Sequence, residues 1–161
     1  MLVTDEIVAF YGRYDWASNF YRCQFVMDGI TFTSSEQAYM YLKAVYFNDK
    51  FRASSILKVD DPGFCKAIGR KVHGYSDEEW FPVREDMMDK ALYAKFECNP
   101  SLKETLLASK GKILVEASRR DRYWGCGYSE LDDRIHDYNH WPGMNMLGER
   151  LMALREWFEH N

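Results

Sequence analysis

The fold of this chain is organised around a predicted helix that begins within the stretch Thr33-Ser34-Ser35-Glu36-Gln37-Ala38-Tyr39-Met40-Tyr41-Leu42-Lys43. Ser34 is a suitable N-cap, and Gln37 completes a capping-box pattern with it. Residues about two helical turns apart share a face, so Glu36 and Lys43 point the same way. Burial of that face would shift the pKa of both groups and provide an acid, a base or a nucleophile. Alternatively, Glu36 only complements the helix dipole and Lys43 extends its amine into solvent.

Composition predicts an ordinary globular protein formed by a single domain over residues 1–161. Hydrophobic residues make up 47% of the chain and charged residues 29%, which is typical of a folded soluble domain. The net charge of −4 provides no long-range attraction for a nucleic-acid backbone. A local basic pocket for one or two phosphates is still compatible with that charge balance.

Several common classes of protein lack support in the sequence. There is no long apolar run and no signal-peptide pattern, so we expect a cytoplasmic protein without a membrane partner. The four cysteines are scattered and have no zinc-ligand spacing, which predicts reduced thiols and no metal site. Neither a GxGxxG motif nor a P-loop is present, so the two common nucleotide-binding folds are not indicated.

Turn and cap residues predict the order of the elements. Short strands are expected within residues 7–33, with 23–27 and 30–32 paired across an Asp28-Gly29 hairpin turn. Helix starts are predicted at Ser34, Asp49, Asp61-Pro62, Ser76 and Pro100. Ser76 and Glu79 form a capping-box pattern, and the helix is expected to restart at Pro82. The run 113–115 is expected to form a buried strand, and residues 146–159 the last helix. The fold class is therefore α+β, dominated by helices, with a small and mainly antiparallel sheet.

The segment 118–144 is predicted to be a long irregular connection, and such loops often carry function. Within it, Asp121 offers a carboxylate, Trp124 a stacking face, and Gly125 a position for a tight backbone turn or for close approach to a ligand. A structural loop with a buried tryptophan is the alternative. Arg70 could bind phosphate through its fork geometry or only complement a helix C-terminus, and Asn145 is placed to cap the last helix.

Several short motifs occur together and in order along the chain: Phe10-Tyr11, Ser18-Asn19-Phe20, Ser35-Glu36, Lys43, Gly69-Arg70, Lys95-Phe96, Glu116, Asp121, Tyr123-Trp124-Gly125-Cys126-Gly127, Trp141-Pro142-Gly143, Asn145 and Leu147-Gly148. In this combination the chain resembles the NADAR family, the YbiA-like N-glycosidases, over about residues 7–157. One departure is Met144, where the family often has a lysine; a polar or phosphate contact from that lysine would be missing here.

The resemblance implies hydrolysis of an N-glycosidic bond between a ribose and a base, without a metal or organic cofactor. Two substrate classes are associated with the family: ribosylamino-pyrimidine intermediates of riboflavin synthesis, and ADP-ribose attached to guanine in nucleic acids. The expected partner is therefore a small phosphorylated ribosyl substrate or an ADP-ribosyl group, with a modified nucleic acid also possible.

The resemblance also assigns roles to residues of this chain. Lys43 would attack C1′ and form a Schiff base, with Glu36 or Asp121 moving protons; Asp121 activating water directly is the alternative. The substrate contacts expected from the family are Asn19, Arg70, Trp124, Gly125 and Asn145. Glu36 and Lys43 are expected to converge on one pocket with Asp121 and Trp124, although about 80 residues separate the two pairs in the sequence.

Two other functions are compatible with the sequence. One is a module that binds ADP-ribose or a nucleotide without turnover, and the other is a purely structural protein. In either an enzyme or a binding module, the cluster of Arg119, Arg120 and Arg122 could hold a phosphate or pyrophosphate.

Overall fold

The computed structural model describes all 161 residues, and the prediction of a helix-dominated α+β fold is confirmed. In chain order the elements are β1 (Leu2–Val3), β2 (Ile7–Phe10), β3 (Phe25–Met27), β4 (Ile30–Phe32), α1 (Ser35–Tyr46), α2 (Lys50–Leu57), α3 (Pro62–Gly69), α4 (Asp77–Trp80), α5 (Arg84–Glu97), α6 (Pro100–Ala108), β5 (Ile113–Glu116), two 3-10 helices (Asp133–His136 and Tyr138–His140) and α7 (Met146–His160). The elements form two compact units, residues 19–100 and residues 1–18 with 101–161. None of the helices is both long enough and apolar enough to cross a membrane.

The predicted hairpin opens the unit of residues 19–100. Strands β3 and β4 pair antiparallel, with Phe25 opposite Phe32 and Met27 opposite Ile30. The turn residues Asp28 and Gly29 both have positive φ, at 53° and 79°. Two consecutive positive φ angles match the twist of the flanking strands, which is why this dipeptide is such a strong hairpin signal.

The first three helices begin where the cap residues predict. Ser34 accepts a hydrogen bond from the Gln37 amide, Asp49 accepts one from Arg52, and Asp61 accepts from two amides of the first turn of α3. Each bond satisfies an amide that has no partner within the helix, so each helix has a defined first residue. Helices α2 and α3 both pack against α1, which is the central helix of this unit.

The predicted capping box at Ser76 and Glu79 is wrong. Ser76 occupies the N-cap position of α4 but makes no side-chain capping bond, and α4 is a single turn. Pro82 lacks the amide that a continuing helix would need, so the chain turns and the longer helix α5 begins only at Arg84. Trp80 at the end of α4 is 3% exposed and packs near the rings of Tyr39 and Phe47. Tertiary burial therefore holds this turn in place of a cap.

The unit of residues 1–18 and 101–161 contains a three-stranded sheet in the order β1-β2-β5. Strands β1 and β2 pair antiparallel, whereas β2 and β5 pair parallel with Ile7 opposite Ile113. The buried strand at 113–115 is confirmed, but its parallel pairing with a strand far away in sequence was not predicted. Helix α7 packs on β5. The core of the sheet includes Ala9, Val115 and Ile135, all almost fully buried.

Candidate active site

The first turn of α1 holds Glu36 in a fixed, buried position. The Glu36 amide donates to the backbone oxygen of Asn19 at 3.0 Å, and the Ser35 hydroxyl donates to the Asn19 side chain at 2.7 Å. Glu36 is only 7% exposed. A carboxylate in the first turn of a helix is favoured by the positive end of the helix dipole, which partly offsets the cost of its burial.

Gln37 anchors the same turn from its other side. Its side-chain oxygen accepts from the Thr33 amide at 2.8 Å, and its amide nitrogen donates to the backbone oxygens of Ile56 and Val59, each at 3.0 Å. These bonds join the start of α1 to the end of α2 and the residues that follow it. Gln37 is therefore a structural residue that keeps the Glu36 turn rigid.

Lys43 lies near the end of α1 in a half-buried environment. Burial is the main reason that the pKa of its amine lies below the usual value; Glu36 opposes this shift, Arg70 strengthens it, and Asp77 opposes it. A lowered pKa increases the fraction of neutral amine, which is the form that acts as a nucleophile. Glu36 and Lys43 are thus electrostatically coupled on one face of α1, as the helical spacing predicts.

Arg70 reaches this environment because α3 approaches α1 closely. Gly69 is the last residue of α3, and a Cβ atom at this position would overlap the side chain of Met40 on α1. A larger residue would force the Met40 side chain to move, so glycine allows α1 and α3 to pack this closely. Arg70 follows as the exposed C-cap residue, and its charge lowers the pKa of Lys43. An arginine in this position can also accept an anionic group of a ligand.

Two residues next to Lys43 escaped the sequence analysis. The Lys43 Nζ atom lies 4.4 Å from the centroid of the Tyr75 ring, and the Tyr75 hydroxyl donates to the Asp77 carboxylate at 2.6 Å. Burial and this hydrogen bond raise the pKa of Tyr75 to about 12, so its hydroxyl stays protonated at neutral pH. Both residues lie around the start of α4, and no helical spacing relates them to α1. Only the tertiary fold reveals them.

Asp121, Trp124 and Gly125 lie in the other unit, on a tight turn after β5. One oxygen of Asp121 accepts from the backbone amides of Tyr123 and Trp124, at 2.9 and 2.8 Å. The Asp121 amide in turn donates to the Ser118 hydroxyl. Asp121 therefore has a clear structural role in shaping the turn, and Trp124 and Gly125 follow directly from it.

The long connection 118–144 is less irregular than its composition predicts. It contains the two 3-10 helices, and its early part is joined by backbone hydrogen bonds to the start of α7. The amides of Met146 and Leu147 donate to the carbonyls of Tyr123 and Trp124. The turn that carries Trp124 thus supplies the capping acceptors for α7, and its position is fixed by the helix. Cys126 within this segment is fully buried, and burial raises the pKa of its thiol.

Asn145 occupies the predicted N-cap position of α7, but its side chain does not cap the helix. Its side-chain oxygen accepts from the Glu116 amide and its nitrogen donates to the Leu114 carbonyl, both at 2.9 Å. A Cβ atom on Gly148 would overlap the Leu114 carbonyl and the Asn145 side chain. Asn145 therefore joins α7 to β5. Its contact with a substrate stays a prediction.

The structure groups the site residues by unit. Glu36, Lys43, Arg70 and Asn19 belong to residues 19–100, and the first three share one electrostatic environment. Asp121, Trp124, Gly125 and Asn145 belong to the unit that contains α7. The convergence of these two groups on one pocket stays a prediction. By itself, the first group combines a half-buried amine, a buried carboxylate and a guanidinium, which can supply a nucleophile, a proton carrier and an anion contact.

Comparison with known proteins places the chain in a family. The model of the NADAR domain matches residues 9–159. The chain is 35% identical to N-glycosidase YbiA of Escherichia coli (strain K12), over 96% of this chain and 90% of that protein. It is 34% identical to N-glycosidase R617 of Acanthamoeba polyphaga mimivirus, over 78% of this chain and 74% of R617. Protein irg-1 of Caenorhabditis elegans is 38% identical over 79% of the chain, and the match spans 61% of irg-1.

The fold agrees with a solved structure. The NMR structure of the E. coli protein YbiA matches with a TM-score of 0.79 and 33% sequence identity, covering 99% of this chain and 88% of that chain. The chain therefore belongs to the NADAR family and has the YbiA fold. The resemblance identified from the short sequence motifs is confirmed.

Proposed function

We propose that this protein hydrolyses the C–N bond between a ribose and a base, with Lys43 as the nucleophile and Glu36 as a proton carrier. The protein is an enzyme of the class that acts on N-glycosyl bonds, since relatives that match it over most of its length are named N-glycosidases. The observation that carries the residue assignment is the half-buried amine of Lys43, coupled to both Glu36 and Arg70.

The amine environment supports a covalent route. Neutral Lys43 attacks C1′, the C1′–N bond to the base breaks, and the base takes a proton from an acid such as Glu36. The C1′–O4′ bond then opens, O4′ takes a proton, and a Schiff base forms between Nζ and C1′. Water adds to C1′ and the amine leaves, so that one water is consumed and Lys43 is regenerated. Glu36 can give and recover a proton in these steps because both groups lie on one face of α1.

Arg70 favours a substrate with a phosphate near the ribose. Its guanidinium is exposed, contributes positive charge near Lys43, and suits the bidentate recognition of phosphate oxygens. We infer a phosphorylated ribosyl substrate of limited size, either a ribosylamino-pyrimidine or an ADP-ribosyl guanine. The net charge of −4 supports recognition through one to three phosphates rather than along a long backbone.

The decisive experiment combines turnover with covalent trapping. The protein is incubated with a ribosylamino-pyrimidine phosphate and with an ADP-ribosylated guanine oligonucleotide, and released base is followed by mass spectrometry. Borohydride added during turnover should reduce the Schiff base and leave a sugar adduct on Lys43. Lys43→Ala should lose turnover and the adduct, whereas Lys58→Ala, which changes an exposed lysine at the end of α2, should retain both.

The outcomes separate the rival assignments. Turnover without an adduct, together with an active Lys43→Ala variant, would reject the lysine route and favour direct water activation by Asp121. Tight binding of the ADP-ribosyl group without release of base would identify a binding module instead. A strong preference for the long oligonucleotide that disappears steeply with salt would contradict the small-substrate inference.

A further inference from the structure

A groove with a mixed polar and apolar lining lies entirely within the unit of residues 1–18 and 101–161. It has a volume of about 820 Å³, and it runs between the turn after β5 and the segment that leads into the first 3-10 helix. Arg119 and Arg122 line it, together with Tyr128, Asp132 and Arg134. The groove is large enough for a ligand of several heavy atoms.

The two arginines have charges that no residue of the protein neutralises. Both are exposed, and neither guanidinium forms an ion pair or a hydrogen bond. They project from a rigid turn, because Ser118 and Asp121 fix its backbone by side-chain hydrogen bonds and the Arg122 carbonyl accepts from the Met144 amide at 2.8 Å. The backbone positions of the two arginines are therefore fixed, and both side chains start from one defined turn next to the groove.

Other residues that line the groove limit the size of that anion. Arg134 is neutralised by Asp132, with Nε and Nη2 at 3.0 and 2.7 Å from the two carboxylate oxygens, and it stacks 4.4 Å from the centroid of the Tyr128 ring. Asp133 is exposed and also lines the groove. Its carboxylate would repel a long polyanion that extended away from Arg119 and Arg122.

We propose that this groove is a binding site for a compact diphosphate group, held by Arg119 and Arg122. Two guanidinium forks suit the higher charge and the larger number of acceptor oxygens of a diphosphate better than those of a single phosphate. The ring of Tyr128 and the side chain of Leu131 can contact the group to which the diphosphate is attached. Arg120, although exposed on the same turn, does not line the groove. The site does not depend on the catalytic role of Lys43.

The test is calorimetric titration of the full chain with inorganic pyrophosphate and with orthophosphate. We expect pyrophosphate to bind at least tenfold more tightly than orthophosphate. The double variant Arg119→Ala/Arg122→Ala should lose at least tenfold in pyrophosphate affinity, while Arg120→Ala, the matched control, should bind like the unmodified protein. Asp133→Asn should bind more tightly because it removes the opposing carboxylate. Unfolding curves verify that each variant is folded.

Further comparisons identify the source of the diphosphate. If a nucleoside diphosphate binds more tightly than pyrophosphate, and Tyr128→Ala removes this additional affinity, the diphosphate belongs to a nucleotide. Equal affinities would indicate a free diphosphate. Pyrophosphate binding that is unchanged in the double variant, or absent at millimolar concentration in the unmodified protein, would overturn the proposal. A preference for a long oligonucleotide over pyrophosphate would also overturn it.

Discussion

The amine nitrogen of Lys43 lies 4.4 Å from the centre of the Tyr75 ring, in the geometry of a cation–π contact. The negative face of the ring stabilises the charged ammonium, so this contact opposes the effect of burial on the pKa of Lys43. The Tyr75 hydroxyl is itself fixed by its bond to Asp77. The pKa of Lys43 is therefore set by burial together with Glu36 on α1, Arg70 after α3, and Tyr75 and Asp77 around the start of α4.

Replacing the ring of Tyr75 should make Lys43 easier to deprotonate. Tyr75→Leu removes the cation–π contact, so the pKa of Lys43 should fall and the acidic limb of the kcat/KM profile should move to lower pH. Tyr75→Phe keeps the ring and loses only the bond to Asp77, and it should leave the limb nearly in place. The pH dependence of reductive methylation at Lys43 measures the same shift without requiring turnover. Equal profiles for Tyr75→Leu and Tyr75→Phe would contradict this role.

Substitutions of Glu36 and Arg70 should move the acidic limb of the kcat/KM pH profile in opposite directions. Glu36 raises the pKa of Lys43 and Arg70 lowers it. Glu36→Gln should therefore shift the acidic limb to lower pH, together with a loss of kcat if Glu36 carries protons. Arg70→Ala should shift the limb to higher pH and raise KM for a phosphorylated substrate.

Arg70→Lys is the matched control for charge. It should restore the pH profile but leave KM elevated, because lysine keeps the positive charge without the bidentate geometry. The absence of a shift in both Glu36→Gln and Arg70→Ala would mean that burial alone sets the pKa of Lys43, and shifts of the same sign would contradict the opposite charge effects.

Local chemistry made much of this fold predictable from the sequence. The Asp28-Gly29 turn and the caps at Ser34, Asp49 and Asp61 depend on residues close together in the chain, and all four are confirmed. The helix start at Ser76 is also confirmed, but its capping box is wrong: α4 is a single turn that is held by burial of Trp80, and it ends before Pro82, which lacks an amide.

Long-range relationships were beyond the reach of the sequence patterns. The parallel pairing of β2 with β5 joins segments about a hundred residues apart, and the apolar run at 113–115 does not specify its partner. The same limit applies to the site. Helical spacing placed Glu36 and Lys43 together, but the contacts of Tyr75 with Lys43 and of Asn145 with β5 follow from tertiary packing alone.

The contribution of Asn145 to stability should be large. Asn145→Ala leaves the Glu116 amide and the Leu114 carbonyl without this partner, and each buried orphaned group costs roughly 1–3 kcal/mol. The free energy of unfolding, measured in urea, should fall by that amount for each group. Asn145→Asp retains an acceptor for the Glu116 amide but sets a buried carboxylate oxygen against the Leu114 carbonyl, so at neutral pH it should be at least as destabilising as Asn145→Ala. Unchanged stability in Asn145→Ala would contradict this structural role.

Asp49 should make the stability of the protein depend on acidic pH. Its carboxylate accepts from the His73 amide at 2.8 Å and from the Arg52 amide at 3.0 Å, and these bonds hold its pKa below the ordinary value of 3.8. A lowered folded pKa gives stability that is present above pH 3.8 and is lost as the pH falls through the folded pKa. Asp49→Asn should be less stable at neutral pH and should lose less on acidification. Asp60→Asn, at an exposed carboxylate, serves as the control.

The role of Asp121 can be separated from its structural bonds by a single conservative change. Asp121→Asn keeps a side-chain oxygen that can accept from the amides of Tyr123 and Trp124, but it removes the negative charge. If Asp121 activates water or moves protons, this variant should fold normally and lose at least about 100-fold in kcat, a typical contribution of general acid–base catalysis.

Asp121→Ala provides the complementary control, because it removes both the charge and the acceptor of the turn. It should lower the free energy of unfolding by about 1 kcal/mol, as expected for the loss of a capping bond, and it should alter the fluorescence of Trp124. If Asp121→Asn keeps full activity while Glu36→Gln is inactive, Glu36 alone moves the protons and Asp121 only shapes the turn. If the borohydride adduct on Lys43 accumulates in Asp121→Asn, the carboxylate acts after the Schiff base forms, in the step that consumes water. Loss of the adduct would place Asp121 before it.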